Sequence, residues 1–283
     1  MDEALRKIRS ELRIRPAKVK RRLMEFIKGK VEGAGASGVV LGLSGGVDST
    51  VIAHLCASAL GSENVLGISM PDAGVTDPQD VADAREVANM LGIEFKVVNL
   101  APPVKELRRS LGALDANADK SIPVANIKPR VRMTVLYYFA NSLNRLVVGA
   151  SNRSEIRAGY FTKYGDGGSD LAPLGCLYKV QVMSLARYLG IPDRILQKPP
   201  SAGLWPGQVD EVELGLPYQK LDMIYAGLDL GLDENEIAEA VGVKVEDIRR
   251  FKEREEKTKH KLVGPEIPDP ELVLSRGSRG RKD

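Results

Sequence analysis

Two acidic side chains, a lysine and a run of glycines mark where this chain has the means to do chemistry. The stretch VVLGLSGGVDS, residues 39–49, breaks an apolar run with Ser44-Gly45-Gly46 and then sets Asp48 and Ser49 at the start of a helical pattern. Strand, glycine turn, helix is the order it predicts. Glycines let a chain turn sharply and bring backbone N–H groups to an anion, and the helix beyond adds its positive end. A phosphate suits such a junction. Asp48 repels that phosphate unless a cation sits between them, and a hard divalent ion shared by one carboxylate and phosphate oxygens is the habit of Mg2+. The stretch reads as nucleotide plus metal.

The remaining chemistry lies further along. LVVGAS, residues 146–151, predicts a strand, and Asn152-Arg153-Ser154-Glu155 leaves its end. Ligands of open α/β sheets bind outside the carboxyl ends of strands, so Glu155 is expected to face the same crevice as Asp48. Two carboxylates from different strand ends are what a bridging Mg2+ needs. Lys179 leads a helix over 178–190, placed to hold a polyphosphate as a point charge. Arg130 and Arg132 open another helix, where cations oppose the macrodipole. A nearby anion explains them, and ordinary surface charge is the alternative. GYFTKYGDGGSDLAP, residues 159–173, carries Lys163, Asp166 and Asp170 and reads as a binding loop or lid, with simple mobility as its alternative.

Elements must hold these groups in place. Apolar runs predict strands at 39–43, 64–70, 94–100 and 146–151, and RILQK at 194–198 is a short fifth. Residues 1–32 read as one amphipathic helix whose Val19, Leu23, Phe26, Ile27 and Val31 share a face. Helices also follow the glycine turn up to Gly61, run from a Thr76 or Asp77 cap to Leu91, open near Asn126, and fill 218–257. Strands alternating with helices imply right-handed crossovers and a parallel sheet. The expected fold is α/β, a Rossmann-like three-layer sandwich with a mostly parallel sheet of about five strands and a helical C-terminal part. One domain over 1–263 and a Pro-rich, basic, flexible tail over 264–283 are expected.

Composition narrows the function classes. At 283 residues, 43% hydrophobic, the chain is long enough for one large domain with a substantial core. Its 41 basic residues nearly balance 38 acidic ones, which argues against a nucleic-acid surface. Cys56 and Cys176 are far apart, so neither a disulfide framework nor a zinc site is suggested. No long apolar run or signal-peptide core is found, so no membrane is involved and a cytoplasmic location is expected. His54, alone in its helix, reads as structural.

The loop lacks the GxxxxGK[ST] pattern of the common P-loop. SGGVDS resembles instead the signature loop of the ATP pyrophosphatases, which release pyrophosphate and transfer AMP. With LGLSGGVDST, NIKPRVRM, NRSE, GYFTKYGDGGSD, LYKVQV, PSAGLWPGQVDEVELG and KHK in order, the chain resembles the ammonia-dependent NAD+ synthetases over nearly its whole length. That family adenylates the nicotinate carboxylate of deamido-NAD+ with ATP as co-substrate, then lets ammonia displace AMP. The resemblance implies an ATP site of Gly42, Leu43, Ser44, Gly45, Gly46, Val47, Asp48 and Ser49, with Ala150, Lys179 and Ser201. Asp48 and Glu155 match the Mg2+ ligands, and Asp48 and Lys179 match groups acting in catalysis. Arg130, Lys163, Asp170, His260 and Lys261 match positions that contact deamido-NAD+. Ala150 stands where the family commonly has threonine, so that hydroxyl contact is either lost or supplied by Ser151.

The resemblance further implies a homodimer. Its motifs span Gly42 to Lys261 and leave no room for a glutaminase domain, so free ammonia is the expected nitrogen source, with an ammonia-supplying partner left open. Two rivals stand beside this reading. One is another ATP pyrophosphatase, GMP-synthetase-like or tRNA-modifying; the other is a non-catalytic nucleotide sensor.

Overall fold

The apolar run before the glycines forms β1 (Val39–Gly42) at the centre of the computed structural model, which describes residues 3–112, 121–270 and 273. It pairs in parallel with β2 (Val65–Ser69) on one side and β4 (Leu146–Val148) on the other, and β3 (Glu94–Val97) extends the sheet beyond β2. Successive strand residues point to opposite faces. Val39, Leu41 and Leu43 therefore enter one core layer, while Val40 joins Leu66, Ile68 and Val147 in the other.

Helices cover both faces, as a parallel sheet requires. The amphipathic start is two helices, α1 (Glu3–Glu11) and α2 (Pro16–Gly33), divided ahead of Pro16, which suits the first helical turn. The chain continues through α3 (Val47–Leu60), α4 (Pro78–Leu91), α5 (Ala101–Ser110), α6 (Ile122–Ala125) and α7 (Ile127–Ser142). Asp77 is the cap of α4, its Oδ1 accepting from Gln79 N at 2.8 Å. Next come α8 (Arg153–Arg157), α9 (Lys179–Tyr188), α10 (Asp193–Leu196) and α11 (Asp210–Leu214). Leu23 and Ile27 of α2, Val51 and Leu55 of α3, Val87 of α4 and Leu185 of α9 pack beneath one face; Met133 and Leu136 of α7 cover the other.

A separate apolar core unites α12 (Tyr218–Asp229), α13 (Glu234–Val241) and α14 (Val245–Thr258) around Leu221, Tyr225, Ile237 and Phe251. Ile8 of α1 is buried among them, so α1 docks on these three helices.

Among the described residues the sheet has four strands, not the five expected. RILQK lies largely in α10, which follows Pro192, its bond from Gln197 N to Asp193 O measuring 2.9 Å. Pro199 and Pro200 come next, and neither has an N–H to give a sheet ladder. The expected flexible tail falls mostly on residues outside those described.

The strand order β3-β2-β1-β4 fixes where a ligand can lie. The chain builds outward from β1 to β3, then returns to the far side of β1 with β4. That reversal opens a crevice between the carboxyl ends of β1 and β4, the general ligand position of such sheets. Among the described residues, no helix is long and apolar enough to cross a membrane.

Candidate active site

The glycine turn sits at the mouth of this crevice. Gly45 has φ +80°, and a Cβ there would lie 2.3 Å from the Asp80 carbonyl oxygen, so both backbone and space demand glycine. The turn is braced internally, with Ser49 Oγ donating to Gly46 O at 3.0 Å and accepting from Ser44 N at 3.2 Å. Lys198 braces it from outside, donating to Gly45 O at 3.1 Å while pairing with Asp80 and Asp83 at 2.6 Å each. Burial alone would raise the Asp83 carboxyl, but Lys198 and Arg194 bonded to it hold it at about 2. Gly46 begins α3 with no side chain capping its first turn, which leaves an electropositive helix end facing the cleft.

Asn152 ties the two acidic groups together. Fully buried, it donates through Nδ2 to Asp48 Oδ1 at 3.2 Å, accepts from Glu155 N at 3.1 Å, and donates its own N–H to Glu155 Oε2 at 3.1 Å. Lys179 Nζ pairs with the other oxygen of Asp48. Burial opposes charge on Lys179, yet Asp48 and then Glu155 outweigh it and hold the ammonium above its usual range. Glu155 is pushed well above the carboxylate range, first by desolvation and then by Asp48. Two acids thus converge on one ammonium. That donor set fits a Mg2+ ion, which takes one or two carboxylates and completes its shell with phosphate oxygens and water. Among the described residues no group of three or more His, Cys, Asp or Glu side chains is placed to hold a metal ion by itself.

A second layer of bonds holds Lys179 in place. Ser154 Oγ donates to Asp222 Oδ1 and accepts from Lys179 N at 2.9 Å, while Asp222 Oδ2 accepts from Val180 N at 2.9 Å. Asp222 is fully buried, and desolvation lifts its carboxyl to about 7.

The cleft encloses about 1090 Å³ and brings together most of the residues singled out from sequence. Gly42, Leu43, Ser44, Gly46, Val47, Asp48 and Ser49 line it, with Arg130, Glu155, Lys163, Lys179, Ser201, His260 and Lys261. Ala150 and Ser151 both line it. The glycine-rich loop is fastened to the helical turn Lys259–Lys261 that follows α14. Lys163 Nζ donates to His260 O at 2.6 Å, and Lys261 Nζ to Gly159 O at 2.8 Å and Phe161 O at 3.0 Å. Arg130 Nε donates to Lys163 O at 3.3 Å. Burial, then nearby Arg254, lower the Lys261 ammonium.

Gly45, inside the turn, is not part of the lining, and neither is Asp170. Its Oδ1 accepts from Tyr137 OH and its Oδ2 from Val147 N, both at 2.8 Å, which pins the loop to β4. Sequence reasoning missed Asn152, Lys198 and Asp210. Asn152 had a signal, since N-x-x-E is a capping-box pattern and the box is formed. Asp210, buried and accepting from Tyr160 OH at 3.1 Å and Ala202 N at 2.9 Å, had none.

A nucleotide loop, an acid pair and a buried lysine describe several ATP-using enzymes equally well. Comparison with known sequences decides among them, because the family model described as NAD synthase matches residues 19–265. The chain belongs to the NAD synthase family. Within it, the NH(3)-dependent NAD(+) synthetase of Hyperthermus butylicus is 47% identical over 262 residues, covering 92% of this chain and 94% of that one. Among solved structures, the NMN synthetase of Francisella tularensis is 33% identical with a TM-score of 0.79, covering 91% of this chain and all of that one. The NH3-dependent NAD synthetase of Campylobacter jejuni, crystallised with nitrate, is 29% identical with a TM-score of 0.74, covering 91% and 100%. The NAD synthase match takes in β1, the glycine turn, α8, α9 and the Lys163–His260 junction, so the whole cleft lies inside it.

Proposed function

We propose that this enzyme is a ligase that joins ammonia to the nicotinate carboxyl of deamido-NAD+, using ATP and releasing AMP and pyrophosphate. The observation that carries the reading is the convergence of Asp48, Glu155 and Lys179 at the mouth of the glycine turn, in a chain of this family. A carboxylate oxygen of the substrate attacks the α-phosphorus of ATP, forming a P–O bond as the bond to the β-phosphate oxygen breaks. Approach of one anion to another is the main barrier, so the site works by positioning and by countering charge. Backbone N–H groups of the turn and the start of α3 hold the triphosphate, and Lys179 faces the charge that develops on the departing pyrophosphate.

Asp48 and Glu155 are the side chains suited to hold Mg2+, which when bound neutralises phosphate oxygens. In the second step ammonia attacks the acyl carbon, the bond to AMP breaks, and the nitrogen loses a proton. Neutral ammonia is itself a nucleophile, so no Ser or Cys is needed. Arg130, Lys163, His260 and Lys261 hold the dinucleotide acid across the cleft from the turn. We further propose a homodimer. Exposed Tyr138 and Tyr164 flank a second hollow beside α7, an apolar surface of the kind that subunits cover. Two free cysteines accord with a cytoplasmic enzyme.

Incubation with ATP, Mg2+, deamido-NAD+ and ammonium tests the proposal by its products. NAD+, AMP and pyrophosphate in equal amounts are expected. ADP with phosphate would reveal a kinase-like reaction, and absence of products a nucleotide sensor. Likeness to the Francisella enzyme supports a second reading, in which a mononucleotide acid is amidated to NMN. Running that acid in parallel separates the two by kcat/KM. Glutamine in place of ammonium should give no comparable rate.

A further inference from the structure

Asp222 stands outside the cleft, yet both its carboxylate oxygens are engaged by groups adjoining residues that act within it. Oδ1 accepts from Ser154, which directly precedes Glu155, and Oδ2 accepts from the N–H of Val180, which directly follows Lys179. Ser154 Oγ also accepts from the N–H of Lys179 itself at 2.9 Å. Three helices meet at this knot: α8 with Glu155, α9 with Lys179, and α12 with Asp222. Neither Ser154 nor Asp222 lines the cleft, and both are wholly shielded from water.

We infer that Asp222, acting through Ser154, is a positioning residue for the amidation, fixing the spacing between the helix that carries Glu155 and the helix that carries Lys179. A carboxylate with no solvent contact is an expensive way to join helices that apolar side chains could join equally well. What it supplies that apolar packing does not is direction. Hydrogen bonds weaken steeply with angle and distance, so the first turn of α9 is held in both register and rotation relative to α8. Lys179 Nζ meets Asp48 on a fourth helix, α3, and its long side chain reaches that point only if its own backbone stays put. Asn152 ties α8 to Asp48 independently, so Ser154 closes a ring: Asp48 to Asn152, through α8 to Ser154, to Lys179 and back to Asp48. Asp222 braces that ring from α12 by holding Ser154 and the N–H of Val180.

The inference rests on the reaction proposed above, and one set of measurements separates the two. Asp222→Asn, Ser154→Ala, Ser154→Thr and the double variant Ser154→Ala/Asp222→Asn are compared with wild type for kcat, for KM of each substrate, and for Tm. A misplacement of about 1 Å at a reacting group lowers rates by about 100-fold, so Asp222→Asn and Ser154→Ala should lose roughly 10- to 100-fold in kcat. KM for deamido-NAD+ should stay within about twofold, because Arg130 and Lys163 lie on other elements. The double variant should lose no more than the worse single one, as members of one unit do, and Ser154→Thr, which keeps the hydroxyl, should recover most of the rate. Folded Ser154→Ala and Asp222→Asn proteins with wild-type kcat would overturn the role, as would losses that multiply in the double variant. If Asp222→Asn does not fold, the Ser154→Ala and Ser154→Thr pair decides alone. A wild type that forms no AMP sinks the amidation reading and this role together; an active wild type with indifferent variants sinks only the role of Asp222.

Discussion

Replacing Gly45 with alanine probes the glycine turn in a way that yields a magnitude. The residue has φ +80°, a conformation costing an L side chain about 1–2 kcal/mol. The added Cβ would also lie 2.3 Å from the Asp80 carbonyl oxygen, a backbone atom that cannot rotate away. Relieving such overpacking costs about 1–3 kcal/mol. The turn can move only by loosening the Lys198 bond to Gly45 O and shifting the N–H groups that would face phosphate. If about 3 kcal/mol of the sum appears at the nucleotide, kcat/KM for ATP falls roughly 150-fold. Steady-state kinetics with ATP varied, beside thermal unfolding, reads this out. Gly190→Ala serves as calibration, since Gly190 has φ +73° with nothing within 4 Å of its Cβ position. It should lower stability by about 1 kcal/mol and leave kcat/KM alone. A Gly45→Ala enzyme no worse than Gly190→Ala would refute the claim that this turn is the phosphate cradle.

Lys179→Gln should lower kcat about 100- to 1,000-fold with little change in Tm, the usual consequence of removing one charge-stabilising donor; a kcat within threefold of wild type would take Lys179 out of the reaction. Asp48→Asn and Glu155→Gln should each raise the Mg2+ concentration for half-maximal rate at least about tenfold, and an unmoved titration curve would remove that residue from the metal's ligands. Arg130→Ala should raise KM for deamido-NAD+ about tenfold while sparing KM for ATP. The Asp222 carboxyl, lifted by burial to about 7, keeps in the folded chain a proton that the unfolded chain sheds near pH 4. Stability should therefore fall as pH rises from about 4 to about 7 and level off above, because the native state binds more protons over that span. Urea unfolding of Asp222→Asn at several pH values should show a shallower slope, what remains belonging to other raised carboxyls such as Glu155, and an unchanged slope would place the titration elsewhere.

Features with local physical signatures were legible in the sequence. The glycine turn, four of the strands and the Asp77 cap declare themselves within a few residues, because turn, period and cap are local effects. The parallel sheet followed from alternation, and the crevice at β1 and β4 followed from it, so Asp48 and Glu155 fell together. RILQK misled because one buried isoleucine cannot distinguish a strand from a single helical turn, and flanking prolines favoured the turn. Asp222 was opaque for another reason: its partners Ser154 and Val180 lie 68 and 42 residues away, beyond any local pattern. Asp170 carried a role by resemblance, while the structure engages both its oxygens with Tyr137 and the backbone of β4.

Ile8 at the heart of the α12–α14 core has a bearing on how the chain is made. The helix that carries it has its resting place among helices over 200 residues further along. Until those arrive, its greasy stripe has no permanent home. Burial of that helix is thus a late event in biogenesis, in which segments far apart in the polypeptide have to meet before either is finished.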